Sequence, residues 1–218
     1  MKMTDAVNKA LKDMHREKGV DKGKYGELSI EAICEKFYQT SGGILYHSYI
    51  QKTVEGKAGN IKKDEQGNLY RENLGNKSEI DVLLVTPRRI FVIEVKAYKS
   101  DNIVLTDDGI SGCLVTNKSP VHQNEFHCRH LYRVLAPALP NGDKKYIVPI
   151  VCFVDKCKVK DKRSIWQKNY IYVTNLNGFE STIKLLDTFD EYLLDLPAID
   201  NRLLEARLNY EKYLPLRV

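Results

Sequence analysis

No stretch of the 218 residues approaches the ~18–20 uninterrupted apolar residues of a membrane span, and the N-terminal MKMTDAVNKALKDMHREK lacks the apolar centre of a signal peptide. Both absences argue against a membrane-embedded protein and leave a soluble, cytoplasmic one as the expectation. Cysteine is equally uninformative as a staple. Cys34, Cys113, Cys128, Cys152 and Cys157 are odd in number, scattered, and form no CxxC pair, which speaks against a disulfide framework and a structural zinc site. Repeats and low-complexity segments are missing too, and nothing in the composition indicates disorder.

What is present suffices for one full hydrophobic core with appendages. The net charge of +5 is compatible with a polyanionic partner without requiring one. The informative stretch is Ser78 to Lys99, SEIDVLLVTPRRIFVIEVKAYK. Two β-branched runs, Glu79–Thr86 and Ile90–Lys96, flank a Thr86-Pro87-Arg88-Arg89 break, which predicts a hairpin of buried strands. A two- or four-residue loop there pairs residues whose numbers sum to 175, so Val85 faces Ile90 and Asp81 faces Glu94. Alternation puts Asp81, Leu83 and Val85 on one face of the first strand, and Ile90, Val92, Glu94 and Lys96 on one face of the second.

Two carboxylates set opposite each other, roughly 4.5–5.5 Å apart at Cβ, repel unless a cation sits between them. Lys96 is one such cation and a divalent metal is another. Mg²⁺ favours one or two carboxylates completed by water and phosphate oxygens, so the trio suits metal-assisted phosphodiester chemistry as well as it suits a buried ion pair.

Elsewhere, Thr4–Glu17 and Lys24–Gln39 read as amphipathic helices, and Ile44–Ile50 as a strand. Gln51–Lys77 is polar and long for a connection: an excursion with its own hairpin, or a loop near the site. Ile103–Thr106 and Ile110–Thr116 predict two short strands around Asp107-Asp108-Gly109. A helix starts at Pro120 with Ser119 as its N-cap and runs to about Leu135. Lys145–Val154 and Tyr170–Val173 read as strands, and Gly178–Leu194 and Ile199–Tyr213 as leucine-rich helices that pack on the core or, alternatively, mediate a homodimer.

Helix with Tyr25-Gly26-Glu27, strand with Ser78-Glu79-Ile80-Asp81, strand with Phe91-Val92-Ile93-Glu94-Val95-Lys96, then helix with Pro120-Val121-His122-Gln123: four blocks in this order resemble the nuclease-related domain (NERD) family of the PD-(D/E)xK nuclease superfamily, from about Lys24 to Val154. Ala97, Arg89 and Ser119 depart from the residues usual beside those blocks, and none of them is a metal ligand. The resemblance implies an α/β, restriction-endonuclease-like core: a central mixed β-sheet flanked by α-helices, over residues 23–174, between an N-terminal helical segment (1–22) and C-terminal helices packing on the core (175–218). It also implies a nuclease dependent on Mg²⁺, with Mn²⁺ as a substitute, in bacterial DNA processing or defence. Asp81 and Glu94 would hold the metal, Glu27 would complete its shell, Lys96 would be the catalytic lysine, and Gln123 would act from the helix after the sheet.

Glu31, one turn beyond Glu27, competes for its role. His127, one turn beyond Gln123, also faces that side, although the spacing of His122, His127 and His130 forms no clean zinc pair. Glu79 belongs on the surface. Lys62, Lys63, Arg88, Arg89, Lys144-Lys145 and the run Lys156–Arg163 are candidates to track a nucleic-acid backbone, DNA rather than RNA, provided they share a face.

Overall fold

The computed structural model describes residues 22–52, 58–63, 69–73, 77–98, 102–112, 119–154, 158–187 and 192–211; the expected helix Thr4–Glu17, Cys113 and Cys157 lie outside them. In chain order the elements are helix α1 (Lys22–Ser41), strands β1 (Ile44–Lys52), β2 (Ala58–Lys63), β3 (Leu69–Asn73), β4 (Lys77–Val85), β5 (Ile90–Lys96), β6 (Asn102–Thr106) and β7 (Gly109–Ser111), helix α2 (Pro120–Leu135), strands β8 (Ile147–Phe153) and β9 (Lys158–Asp161), helix α3 (Ile165–Tyr170), strand β10 (Tyr172–Asn175), and helices α4 (Leu176–Leu186) and α5 (Leu196–Glu211).

The main sheet runs β1-β4-β5-β8-β10. Its first three strands are antiparallel neighbours, whereas β8 joins β5, and β10 joins β8, in parallel. Parallel neighbours need a crossover, and α2 and α3 lie in the two crossovers. Because helices then cover both faces, β5 and β8 carry continuous apolar runs rather than alternating ones. On one face Leu83, Val85, Ile90 and Val92 pack with Leu131 and Leu135 of α2 and with Ile199 and Leu203 of α5. On the other, Val82, Leu84, Phe91 and Ile93 pack with Ile30 and Cys34 of α1 and with Phe179 and Ile183 of α4. This is the expected α/β architecture, a mixed sheet between helices.

A second sheet, β7-β6-β9, buries Ile103 and Leu105 against Val121 and Phe153. The two expected strands around Asp107 are present, with Thr106 paired to Gly109 across the turn; the second spans Gly109–Ser111, and residues 113–116 of the expected strand lie outside the described residues. The 51–77 excursion holds an antiparallel pair of its own, β2 with β3.

Several expectations need correction. The helix expected to reach Leu194 stops at Leu186. Since α4 and α5 cover opposite faces of the sheet, the chain between them has to pass around its end, and a straight helix cannot do so. The passage is pinned to the β4–β5 turn: the Thr86 hydroxyl donates to Asp187 Oδ1 at 2.5 Å and the Leu194 N–H to the Pro87 carbonyl at 2.8 Å. Tyr170 closes α3, so the last strand starts at Tyr172 rather than at Tyr170. Ser119 holds the N-cap position of α2, but its side chain makes no capping bond. Among the described residues no helix is long and apolar enough to cross a membrane.

Candidate active site

The hairpin register follows the sum of 175 from Val85 with Ile90 to Val82 with Ile93, and the ladder stops there. Asp81 is where it changes. Above it, Leu83 and Val85 face α2; below it Ile80, not Asp81, joins that same packing group. The alternation slips by one residue, so Asp81 does not simply oppose Glu94 as ideal pairing predicts. The neighbouring strand slips with it. β1 pairs with β4 from Ile44 to Lys52 but leaves out Ser48, opposite Asp81, and Ser48 has φ +47°, a left-handed conformation uncommon for a residue with a Cβ. Tyr46 and Tyr49, three residues apart, consequently pack on the same side. Freed from the ladder, the Asp81 carboxylate accepts the Val95 N–H through Oδ2 at 2.7 Å.

Glu94 lies at the carboxyl end of β5 and is 1% exposed. Its Oε1 is paired with the Lys96 ammonium, and its Oε2 lies 3.3 Å from His127 Nε2 of α2. On its other side His127 Nδ1 meets the hydroxyl of buried Ser78 at 2.7 Å. A chain of contacts therefore runs Ser78, His127, Glu94, Lys96. Gln51, cross-strand from Ser78, is fully buried, and neither of its amide atoms has a hydrogen-bond partner. Both Glu94 oxygens and His127 Nε2 are buried too, engaged through the ion-pair contacts with Lys96 and with each other. Unmet polar atoms are rare in folded interiors and concentrate where an ion, water or substrate belongs.

Burial raises the Asp81 pKa to about 7, helped by the charge of Glu94; the Val95 N–H and Lys96 pull the other way, and Glu27 adds a smaller upward push. Burial works against the Lys96 ammonium, but Glu94 and then Asp81 outweigh it, and the Lys96 pKa lies above the usual lysine value.

Glu27 comes from α1, which covers the other face of the sheet, and reaches Asp81 electrostatically from the helix end. Gly26 makes this possible: a Cβ there would collide with the Val154 side chain just past β8, so only glycine lets this end of α1 close on the sheet. Glu31 is engaged elsewhere, with His47 Nδ1 at 3.2 Å. Gln123 sits one turn before His127 on the same stripe of α2, half-buried; its main-chain N–H bonds to Ser119 O, and no side-chain bond ties it to the carboxylates.

Arg88, Arg89 and Arg163 do not gather here. Arg88 and Arg89 lie in the turn before β5, six and five residues of about 3.3 Å rise from Glu94, where Arg88 lies 4.0 Å from Asp187 and Arg89 stacks 5.8 Å over Tyr146. Lys62 and Lys63 lie on β2, and their side chains are outside the described residues. Arg163 is buried against Asp161 at 2.9 Å. Glu79 is exposed, as expected.

The donor set fits a hard divalent cation. Asp81 and Glu94 supply oxygens, and the unmet amide atoms of Gln51 are of the kind that water satisfies. Among the described residues no three His, Cys, Asp or Glu side chains form a ready metal cluster. The water-rich coordination Mg²⁺ prefers needs only one or two protein carboxylates. Ser78, Gln51 and the bond from His127 were not legible as site features in the sequence; only the helical spacing of His127 from Gln123 hinted at its side.

The model of one family, described as nuclease-related domain (NERD), matches residues 22–154. No curated protein and no solved structure matches the chain.

Proposed function

The chain belongs to the nuclease-related domain family, and from that premise we propose that it is a metal-dependent nuclease that hydrolyses phosphodiester bonds of DNA. The observation that carries the reading is the convergence of Asp81, Glu94 and Lys96 around the end of β5, with the Glu94 carboxylate buried. Bound between the carboxylates, Mg²⁺ or Mn²⁺ would polarise the scissile phosphate and acidify a water. Lys96, held in its charged form, serves as an electrostatic partner for the phosphate oxygens rather than as a base. His127, fixed by Ser78, holds Glu94 in orientation. Glu27 adds an acidic group from the α1 side, and Gln123 is placed to contact a phosphate or the attacking water.

One observation favours a second reading. The Lys96–Glu94 pair also satisfies a structural ion pair, so a non-catalytic nucleic-acid-binding module with a retained nuclease fold accounts for the same contacts. A thermal-shift titration separates them. The nuclease reading expects Mg²⁺ and Mn²⁺ to raise Tm in the wild type and not in Glu94→Gln; DNA binding with no metal response in either protein favours the module.

A further inference from the structure

Trp166, the only tryptophan in the chain, is 71% exposed, and its neighbour Ile165 is 78% exposed. A single exposed apolar side chain is ordinary, but Ile165 and Trp166 are adjacent and continue into Tyr170, a contiguous exposed patch of the kind that marks an interaction site. The ring is not floppy. It stacks on Tyr170, with centroids 6.0 Å apart and an 18° interplanar angle, and Lys144 Nζ lies 5.7 Å from the Tyr170 ring centre. The helix α3 that presents it is fixed at its start: Ser164 accepts the Gln167 N–H, and the Ser164 N–H and the Gln167 amide both donate to Asp107, whose carbonyl also meets His122 of α2 at 2.9 Å.

Basic side chains outnumber acidic ones in the segments next to the stack. Lys158 and Lys160 alternate to the solvent side of β9, the strand that leads into α3, while Val159 packs inward, and exposed Lys162 follows the strand. Lys168 lies on α3 itself. Of the nearby acids, Asp161 pairs with Arg163 at 2.9 Å and Glu125 with Arg129 at 3.7 Å, while the Asp107 carboxylate accepts the Ser164 N–H. A groove of about 280 Å³ lined by Glu125, Arg129, Tyr132, Lys144 and Tyr170 adjoins the rings.

A flat aromatic face beside a row of lysines suits a nucleobase with its phosphates, and a base offers that face only when unpaired, because in a duplex its faces are stacked inside. We propose that Trp166 and Tyr170, with Lys144 and the lysines of β9, form a stacking platform for single-stranded nucleic acid. The proposal rests on the nuclease reading only in assigning that strand as substrate. The platform shares α2 with the candidate active site: His127 on that helix faces Glu94, while Cys128 and Arg129 line the groove beside Tyr170.

Trp166 is its own reporter. The full-length protein in EDTA, where no metal-dependent cleavage interferes, is titrated with oligo(dT) and with a duplex of equal length while tryptophan fluorescence is followed. Binding of a labelled oligo(dT) to Trp166→Ala is measured by anisotropy, with Tm as the folding control for this exposed site. The expected result is quenching by the single strand well below the duplex concentrations that quench, a loss of about 5- to 100-fold in affinity on Trp166→Ala with partial recovery in Trp166→Phe, and weakening by salt. Unchanged affinity in folded Trp166→Ala, equal quenching by duplex, or no quenching overturns the platform. Metal-dependent cleavage is read separately and stands or falls without it.

Discussion

Replacing Asp81 by asparagine is expected to stabilise the metal-free protein, and to do so increasingly as pH rises. Asparagine keeps an oxygen for the Val95 N–H, which Asp81 accepts at 2.7 Å, and removes only the charge. In the folded protein burial and Glu94 lift the Asp81 pKa from 3.8 to about 7. Between those values the folded state keeps a proton that the unfolded chain has released, so wild-type stability falls as pH rises through that window and stays low above it. Three units correspond to at most about 4 kcal/mol, since one unit is about 1.4 kcal/mol. The variant has no such proton and no such fall. Urea denaturation in EDTA at pH 4, 5.5, 7 and 8 should show the two proteins close at pH 4, with Asp81→Asn pulling ahead by up to about 4 kcal/mol at pH 8. Adding Mg²⁺ at pH 8 should recover much of the difference for the wild type alone, because a cation beside the carboxylate replaces the proton. Parallel pH profiles, or a variant that is the less stable one at pH 8, would refute the assignment of Asp81 as a destabilising, metal-ready carboxylate.

Two further substitutions probe what holds the site. Gly26→Ala should destabilise the fold by about 1–3 kcal/mol in the same denaturation assay, despite the roughly 1 kcal/mol that alanine normally gains inside a helix, because the added methyl meets the branched Val154 side chain; a stabilised variant would show that α1 does not close there. His127→Ala strands Glu94 and Ser78 in the interior and should lower kcat about 10–100-fold with KM little changed, while His127→Gln, which retains a donor toward Glu94, should keep more of the activity. Equal losses in the two variants would reduce His127 to a packing residue.

How far the sequence carried this fold depends on period and length. The β4–β5 hairpin, α2 and β8 were legible because their apolar runs are long and their boundaries are marked by Pro87, Pro120 and a buried strand composition. The site was legible at Asp81, Glu94 and Lys96 for the same reason: polar residues in otherwise buried strands demand an explanation. Their mutual geometry was not. Strict alternation places Asp81 over Glu94, and nothing in the residues themselves announces the slip shared by Ser48 and Asp81, because it belongs to two strands at once. The Ser78–His127 bond joins residues 49 positions apart and has no local signal. β9 and α3 were hidden in a basic run, KCKVKDKR, and in too few residues to show a period. The leucines of the C-terminal helices suggested a continuous stripe, whereas Leu194 and Leu203 are buried and Leu185 and Leu193 are exposed, split by the passage around the end of the sheet.

The central claim, that Asp81, Glu94 and Lys96 make a metal-dependent phosphodiesterase, is tested most directly by incubating purified protein with supercoiled and linear DNA in Mg²⁺, Mn²⁺ or EDTA, beside Asp81→Asn and Lys96→Ala. Cleavage that requires the metal and disappears in both variants is the expected result. Cleavage that persists in EDTA or in both variants, or DNA that is bound but never cut under any of these metals, would contradict it.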